Sequence, residues 1–78
     1  MNRAKIGQIV YYKSYGTPKG EYASQYRAAI VTSIFSASNV IDICVINPEG
    51  LFFNKEVYYG QNGGQWCFVE DAEWNKIL

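Results

Sequence analysis

The chain has 78 residues, with seven Lys or Arg balanced by seven Asp or Glu, no His and two Cys. That length holds one domain (residues 1–78) and excludes a second core, and a domain this small buries only about 60% of its unfolded surface. Zero net charge argues against an extended nucleic-acid footprint, no apolar run approaches the ~20 residues of a membrane span, and a chain without His or a CxxC spacing has almost no ligands for a zinc site.

The basic start Met1-Asn2-Arg3-Ala4-Lys5 leads into a β-type segment rather than the apolar core of a signal peptide, so a cytoplasmic location is expected. Residues 6–15 are rich in β-formers. Their alternation sets Ile9, Tyr11 and Lys13 on one face and Val10, Tyr12 and Ser14 on the other. Gly16-Thr17-Pro18-Lys19-Gly20 breaks this strand and begins a long first loop. A second strand is expected from about Gln25 to Phe35, with Ala28, Ile30, Thr32 and Ile34 opposed to Arg27, Ala29, Val31 and Ser33. Ser36-Ala37-Ser38-Asn39 reads as a turn. Val40 to Ile46 is apolar except for Asp42 and reads as a central strand.

Asn47-Pro48-Glu49-Gly50 fits a type I turn, with Pro at its second position and Gly at its fourth. It should close a hairpin onto residues 51–57. Gly60-Gln61-Asn62-Gly63-Gly64 reads as a flexible loop and Trp66 to Val69 as a last short strand. The end, Asp71 to Leu78, reads either as one or two helical turns or as an extended tail packed through Trp74. Five short strands, one long loop and tight later turns describe an all-β domain. The expectation is a small five-stranded SH3-like barrel, whose closure would hide the strand edges.

Charge is unevenly spread. Residues 1–30 carry five cations against Glu21 alone, and residues 31–78 carry two cations against six acids. This describes either solvated strand faces whose charges mix on folding or a first half that attracts anions. Chemistry is sparse. General acid–base work usually leans on His, and neither Cys44 nor Cys67 has an evident base beside it. Glu21, Asp42 and Glu49 fall on loop, strand and turn with nothing to pair them. No phosphate loop or dinucleotide fingerprint occurs. The chain therefore reads as a binding protein rather than an enzyme, with no cofactor and no metal. Without an export signal both cysteines should be free thiols.

The first loop and its rims concentrate candidate ligand-binding groups. Gly16 and Gly20 let backbone amides approach a ligand. Thr17, Ser24 and the Arg27 fork can grip phosphate or carboxylate oxygens. Tyr11, Tyr12, Tyr15, Tyr22 and Tyr26 offer rings for stacking. Arg27 is also explained by an ion pair with Glu21. Lys13 and Lys19 are alternative cations, though flexible point charges. Of the adjacent Phe52 and Phe53, one is expected in the core and the other at a pocket or interface. Asn47 and Asn54 are simplest as turn and solvent-facing strand residues, yet both side chains could reach a ligand.

Two blocks carry a resemblance. They are Tyr15-Gly16-Thr17-Pro18-Lys19-Gly20-Glu21-Tyr22, continuing to Arg27-Ala28-Ala29-Ile30-Val31-Thr32, and Cys44-Val45-Ile46-Asn47-Pro48-Glu49-Gly50-Leu51-Phe52-Phe53-Asn54. They resemble a group of small bacteriophage-encoded proteins of unassigned role, over roughly residues 6–69. The group brings no established catalytic residues. It implies the cytoplasm of an infected bacterial host as the setting. In its traits the chain is also similar to phage anti-defence "sponge" proteins, compact homo-oligomers that sequester a nucleotide immune signal; that is a likeness of trait, which does not establish function.

The first expectation is therefore a homo-oligomer that holds a small anionic nucleotide derivative, a cyclic nucleotide or an ADP-ribose derivative, in pockets formed between subunits. Tyr12, Tyr15, Gly16, Thr17, Tyr22, Ser24, Arg27, Asn47, Phe52 and Asn54 are the candidate contacts. The alternative is an SH3-like module whose aromatic surface grips a host or virion protein. A nucleic-acid accessory barrel is disfavoured by the neutral charge, and no membrane partner is expected.

Overall fold

In a computed structural model of the chain, residues 3–16, 24–35 and 39–72 are described. Five strands form one antiparallel sheet: β1 Ile9–Lys13, β2 Tyr26–Ile34, β3 Ile41–Asn47, β4 Gly50–Val57 and β5 Trp66–Cys67. Their spatial order is β4-β3-β2-β1-β5. The protein is thus all-β, and each strand read from the sequence is present with shifted ends.

Strand ends follow local causes. Gly7 at φ 88° turns the chain before β1, and its amide donates to the Val31 carbonyl at 2.8 Å. Beyond β1, Ser14 stays tied to the start of β2. Its amide donates to Gln25 O at 2.9 Å, and its hydroxyl accepts from the Gln25 amide at 3.0 Å. At the β3–β4 hairpin Asn47 pairs with Gly50, leaving Pro48 and Glu49 as the two turn residues. Neither has positive φ, which suits the type I geometry expected from Pro at the second position.

One face of the sheet holds the core. Val10 on β1, Ala29 and Val31 on β2, and Ile41, Ile43 and Val45 on β3 are all buried, with Val57, Trp66 and Phe68 completing the cluster. The buried set on β2 is the Arg27, Ala29, Val31 and Ser33 alternation. Arg27 therefore stands on the core face of the sheet, beyond the end of the apolar row. Trp66 is fully buried and packs edge-on against Tyr59 and Phe68, each with ring centroids 5.0 Å away. Its indole N–H donates to Asn39 O at 2.8 Å, satisfying the one polar atom it buries.

Asp42, the lone charge in an apolar strand, has a structural task. The β3–β4 register shifts between Ile41 and Ile43, and Glu56 opposite is left in the left-handed region at φ 53°. The Asp42 carboxylate accepts the Glu56 amide at 2.8 Å and so holds this bulge.

The loop read as flexible is tied down at several points. Gly64 N donates to Lys13 O at 2.7 Å, Lys13 N to Gln65 O at 2.9 Å and Gly60 N to Trp66 O at 2.8 Å. Gln61 accepts from the Tyr26 hydroxyl and donates to Asp71 O. Directly after β4 the chain runs beside β5, with Tyr59 bridging Trp66 in parallel. After β5 the chain makes a single 3-10 turn at Val69–Asp71. Residues 73–78, including Trp74, lie outside the described ones.

Cys44 and Cys67 are both buried and free. Strands β2 and β1 stand between them, roughly 14 Å at the usual inter-strand spacing. That exceeds the ~7 Å limit between Cα atoms for a disulfide. Among the described residues no helix is long and apolar enough to cross a membrane.

Candidate ligand-binding groove

The residues of the core face that extend past the apolar rows line a groove. Tyr12 on β1 stands opposite Arg27 on β2. Val45 on β3 stands between Ala29 and Phe52, and Ile43 stands opposite Asn54 on β4. Ala29, the next residue after Arg27 on this face of β2, contributes only a methyl group, so little fills the space between the aromatic side chains. The result is a cavity of about 330 Å³ lined by Tyr12, Ser14, Tyr15, Arg27, Val45, Asn47, Phe52 and Asn54. A second hollow of about 460 Å³ shares Arg27, Asn47 and Phe52 and continues to Pro48 and Glu49. Each volume falls within the ~300–1,000 Å³ of small-molecule sites.

Sheet curvature makes the groove. Tyr12 on β1 and Asn54 on β4 line the same cavity, yet two strands lie between β1 and β4. In a flat sheet those strands would be roughly 14 Å apart, too far for the two side chains to meet. The right-handed twist and coil of the sheet carry β4 round toward β1. Burial is the main cause that raises the Tyr12 pKa, with the nearby Tyr15 adding to it and the Asn54 hydrogen bond opposing it. The phenol is therefore neutral at physiological pH and available as a donor or acceptor.

Arg27 is the cation of this groove. It is partly buried, and its Nε is shut off from solvent with no hydrogen-bond partner among the described residues. Glu21, the expected ion-pair partner, lies outside those residues. Lys13 turns to the opposite face of β1, with its ammonium 4.6 Å from the Tyr26 ring centroid. Lys19 lies outside the described residues.

Six of the ten candidate contacts are therefore brought together: Tyr12, Tyr15, Arg27, Asn47, Phe52 and Asn54. Ser24 is not among them. Its hydroxyl donates to Ser14 O at 2.5 Å, and it borders a separate hollow with Lys13, Gln25 and Tyr26. Gly16, at φ 76°, also does not line the groove. Thr17 and Tyr22 lie outside the described residues. Ser14 and Val45 were missed, although alternation from Tyr12 and from Ile43 would have placed both on the correct face. The expectation that one of Phe52 and Phe53 is a core residue is corrected: Phe52 is 57% and Phe53 74% exposed. β4 is an edge strand, and its core contact is made by Val57 instead.

Tyr15, the most exposed of these residues, rests against the 60–64 loop. A β-carbon on Gly64, which has φ 84°, would run into the Tyr15 hydroxyl, and one on Gly63 would come within 3.1 Å of its ring. Two glycines thus admit the ring at the mouth of the groove. A hollow of about 500 Å³ elsewhere is lined by Arg3, Lys5, Ile6, Gly7, Gln8, Phe68 and Glu70. It mixes both charge signs and offers one aromatic side chain, so it has a weaker claim to a specific small ligand.

No family model, curated protein or solved structure matches the chain.

Proposed function

We propose that this protein is a non-catalytic binding protein that sequesters a small anionic nucleotide derivative in the Tyr12–Arg27–Phe52 groove. The observation that carries this reading is Arg27. A guanidinium whose Nε is buried with no hydrogen-bond partner among the described residues, beside Tyr12, Tyr15 and Phe52, is placed to donate to a phosphate oxygen. Tyr12, Tyr15 and Phe52 supply ring surface for a base, each stacked ring contributing about 1–3 kcal/mol. The Asn47 and Asn54 amides offer both donors and acceptors to the edge of that base.

The absence of chemistry is part of the proposal. Among the described residues Ser14 is the one alkyl hydroxyl in the groove, and its Oγ already accepts the Gln25 amide. Among the described residues no carboxylate lines the cavity that holds Arg27, Tyr12 and Asn54. In its fuller form the reading adds an SH3-like closure of the curled sheet, a homo-oligomeric assembly, and a phage protein acting against a nucleotide immune signal in the host cytoplasm. The sequence resemblance and the strand order β4-β3-β2-β1-β5 support that form.

The test is a melting-shift screen against cyclic dinucleotides, cyclic trinucleotides and cyclic ADP-ribose derivatives. A ligand at about a hundred times its Kd stabilises by about 2.7 kcal/mol. For a domain of this size that raises Tm by roughly 10–20 °C. No shift with any of them, combined with capture of a protein partner through the Phe52 surface, would replace this reading with the interaction-module alternative.

A further inference from the structure

We infer that the face of the sheet opposite the groove is the contact surface for a second copy of this chain. Alternation along each strand sends one set of side chains into the core and the other set outward. On this sheet much of the outward set is also apolar, with Lys13 on the same face toward the end of β1. Ile9, Ile30, Cys44 and Phe53 form one continuous cross-strand row over β1, β2, β3 and β4. Beside it, Ile46 stands opposite Leu51, in line with Ala28. Phe53 and Leu51 are 74% and 60% exposed, and Ile9 and Ile46 are exposed as well. None of these seven residues is charged.

An antiparallel sheet with one solvated face ordinarily alternates apolar inside with polar outside. Here the outer face breaks that rule over its β3–β4 half. The break also falls on an edge strand, where exposed apolar residues beside unpaired backbone groups are an aggregation hazard unless covered.

Area argues for a second copy as the cover. A Phe side chain offers about 150–250 Å², so Phe53, Leu51, Ile9 and Ile46 together expose on the order of 500 Å². That matches the largest patches found on monomers. With a rim of neighbouring residues it reaches the roughly 800 Å² per partner of a stable interface. A row without charge gives a foreign partner little to recognise, but it complements itself about a two-fold axis. Two such faces would stack as sheets about 10 Å apart, forming a second core shared between two domains whose own cores are small.

This contact does not rest on the nucleotide reading, because Phe53 and Phe52 point to opposite faces of β4. The two copies would meet back to back, with both grooves facing outward. The test is the solution mass by light scattering over a micromolar concentration series, for the parent chain, Phe53→Glu, Leu51→Glu and Arg27→Met. The parent and Arg27→Met should be dimeric or larger. Phe53→Glu and Leu51→Glu should keep a native far-UV spectrum and raise the dissociation constant roughly a hundredfold or more, since two-fold symmetry counts each substitution twice. Should Phe53→Glu fail to fold, Leu51→Glu supplies the same reading. A parent chain that is monomeric throughout overturns the inference, as does an oligomer that survives both substitutions. Loss of nucleotide binding with the mass unchanged would count against the groove, not against this interface.

Discussion

Replacing Arg27 with Met separates a binding residue from a structural one. Met keeps the apolar length of the Arg stem and removes the guanidinium, whose Nε is buried without a partner among the described residues. A buried donor left unsatisfied costs about 1–3 kcal/mol. Removing that donor should therefore leave stability unchanged or raise it by up to about 2 kcal/mol, while the retained stem preserves packing against its neighbours. Urea unfolding followed by the fluorescence of the buried Trp66 reads this directly, with the slope m expected to stay constant. The same substitution should weaken a phosphate-bearing ligand by ten- to a hundredfold, the equivalent of about 1.5–3 kcal/mol for a hydrogen bond to a charged group. A binding residue is thus expected to trade stability for function. If Arg27→Met instead lost more than about 1 kcal/mol of stability, Arg27 would be a paired structural residue, with Glu21 the first partner to examine.

Asp42→Ala should cost about 1–2 kcal/mol, because it removes the acceptor of the Glu56 amide and leaves a left-handed Glu56 unsupported; adding Glu56→Gly should recover part of that loss in the same urea assay. Tyr59 should ionise well above the ordinary tyrosine range. Its pKa is pushed up to about 12, first by burial and then by its hydrogen bond to the Asp71 carboxylate and by that carboxylate's charge. The unfolded chain would lose this proton near its ordinary value of 10.0 while the folded chain holds it. The contribution of Tyr59 to stability is therefore intact below pH 10 and falls away between there and about pH 12. Alkaline titration of phenolate absorbance should show a late step near pH 12 in the parent chain that moves to lower pH in Asp71→Ala; a parent chain without that late step would contradict this.

The strands were legible because their signals are local. Pro48 and Gly50 fix the β3–β4 turn, and simple alternation assigned Val10, Ala29 and Val31 to one face. Tyr12 and Arg27 were named from their residue types beside the first loop, and the β1–β2 register sets them opposite each other. What could not be read depends on the sheet as a whole. Bringing Tyr12 and Asn54 to one cavity requires a curl across four strands. The exposure of both Phe52 and Phe53 follows from β4 lying at an edge, which strand propensity does not report. Asp42 looked like an interruption in an apolar strand because its partner, the bulge at Glu56, has no signature of its own. The glycines at 63 and 64 read as flexibility, whereas their lack of β-carbons admits the Tyr15 ring.

The most direct test of capture without catalysis is to recover the ligand. The protein would be mixed with the nucleotide giving the largest melting shift, freed of unbound ligand and then denatured, and the released small molecule would be identified by mass. The account predicts the unmodified nucleotide in near-stoichiometric amount from the parent chain and little from Arg27→Met. Release of a cleaved or altered nucleotide, or equal recovery from both proteins, would contradict it.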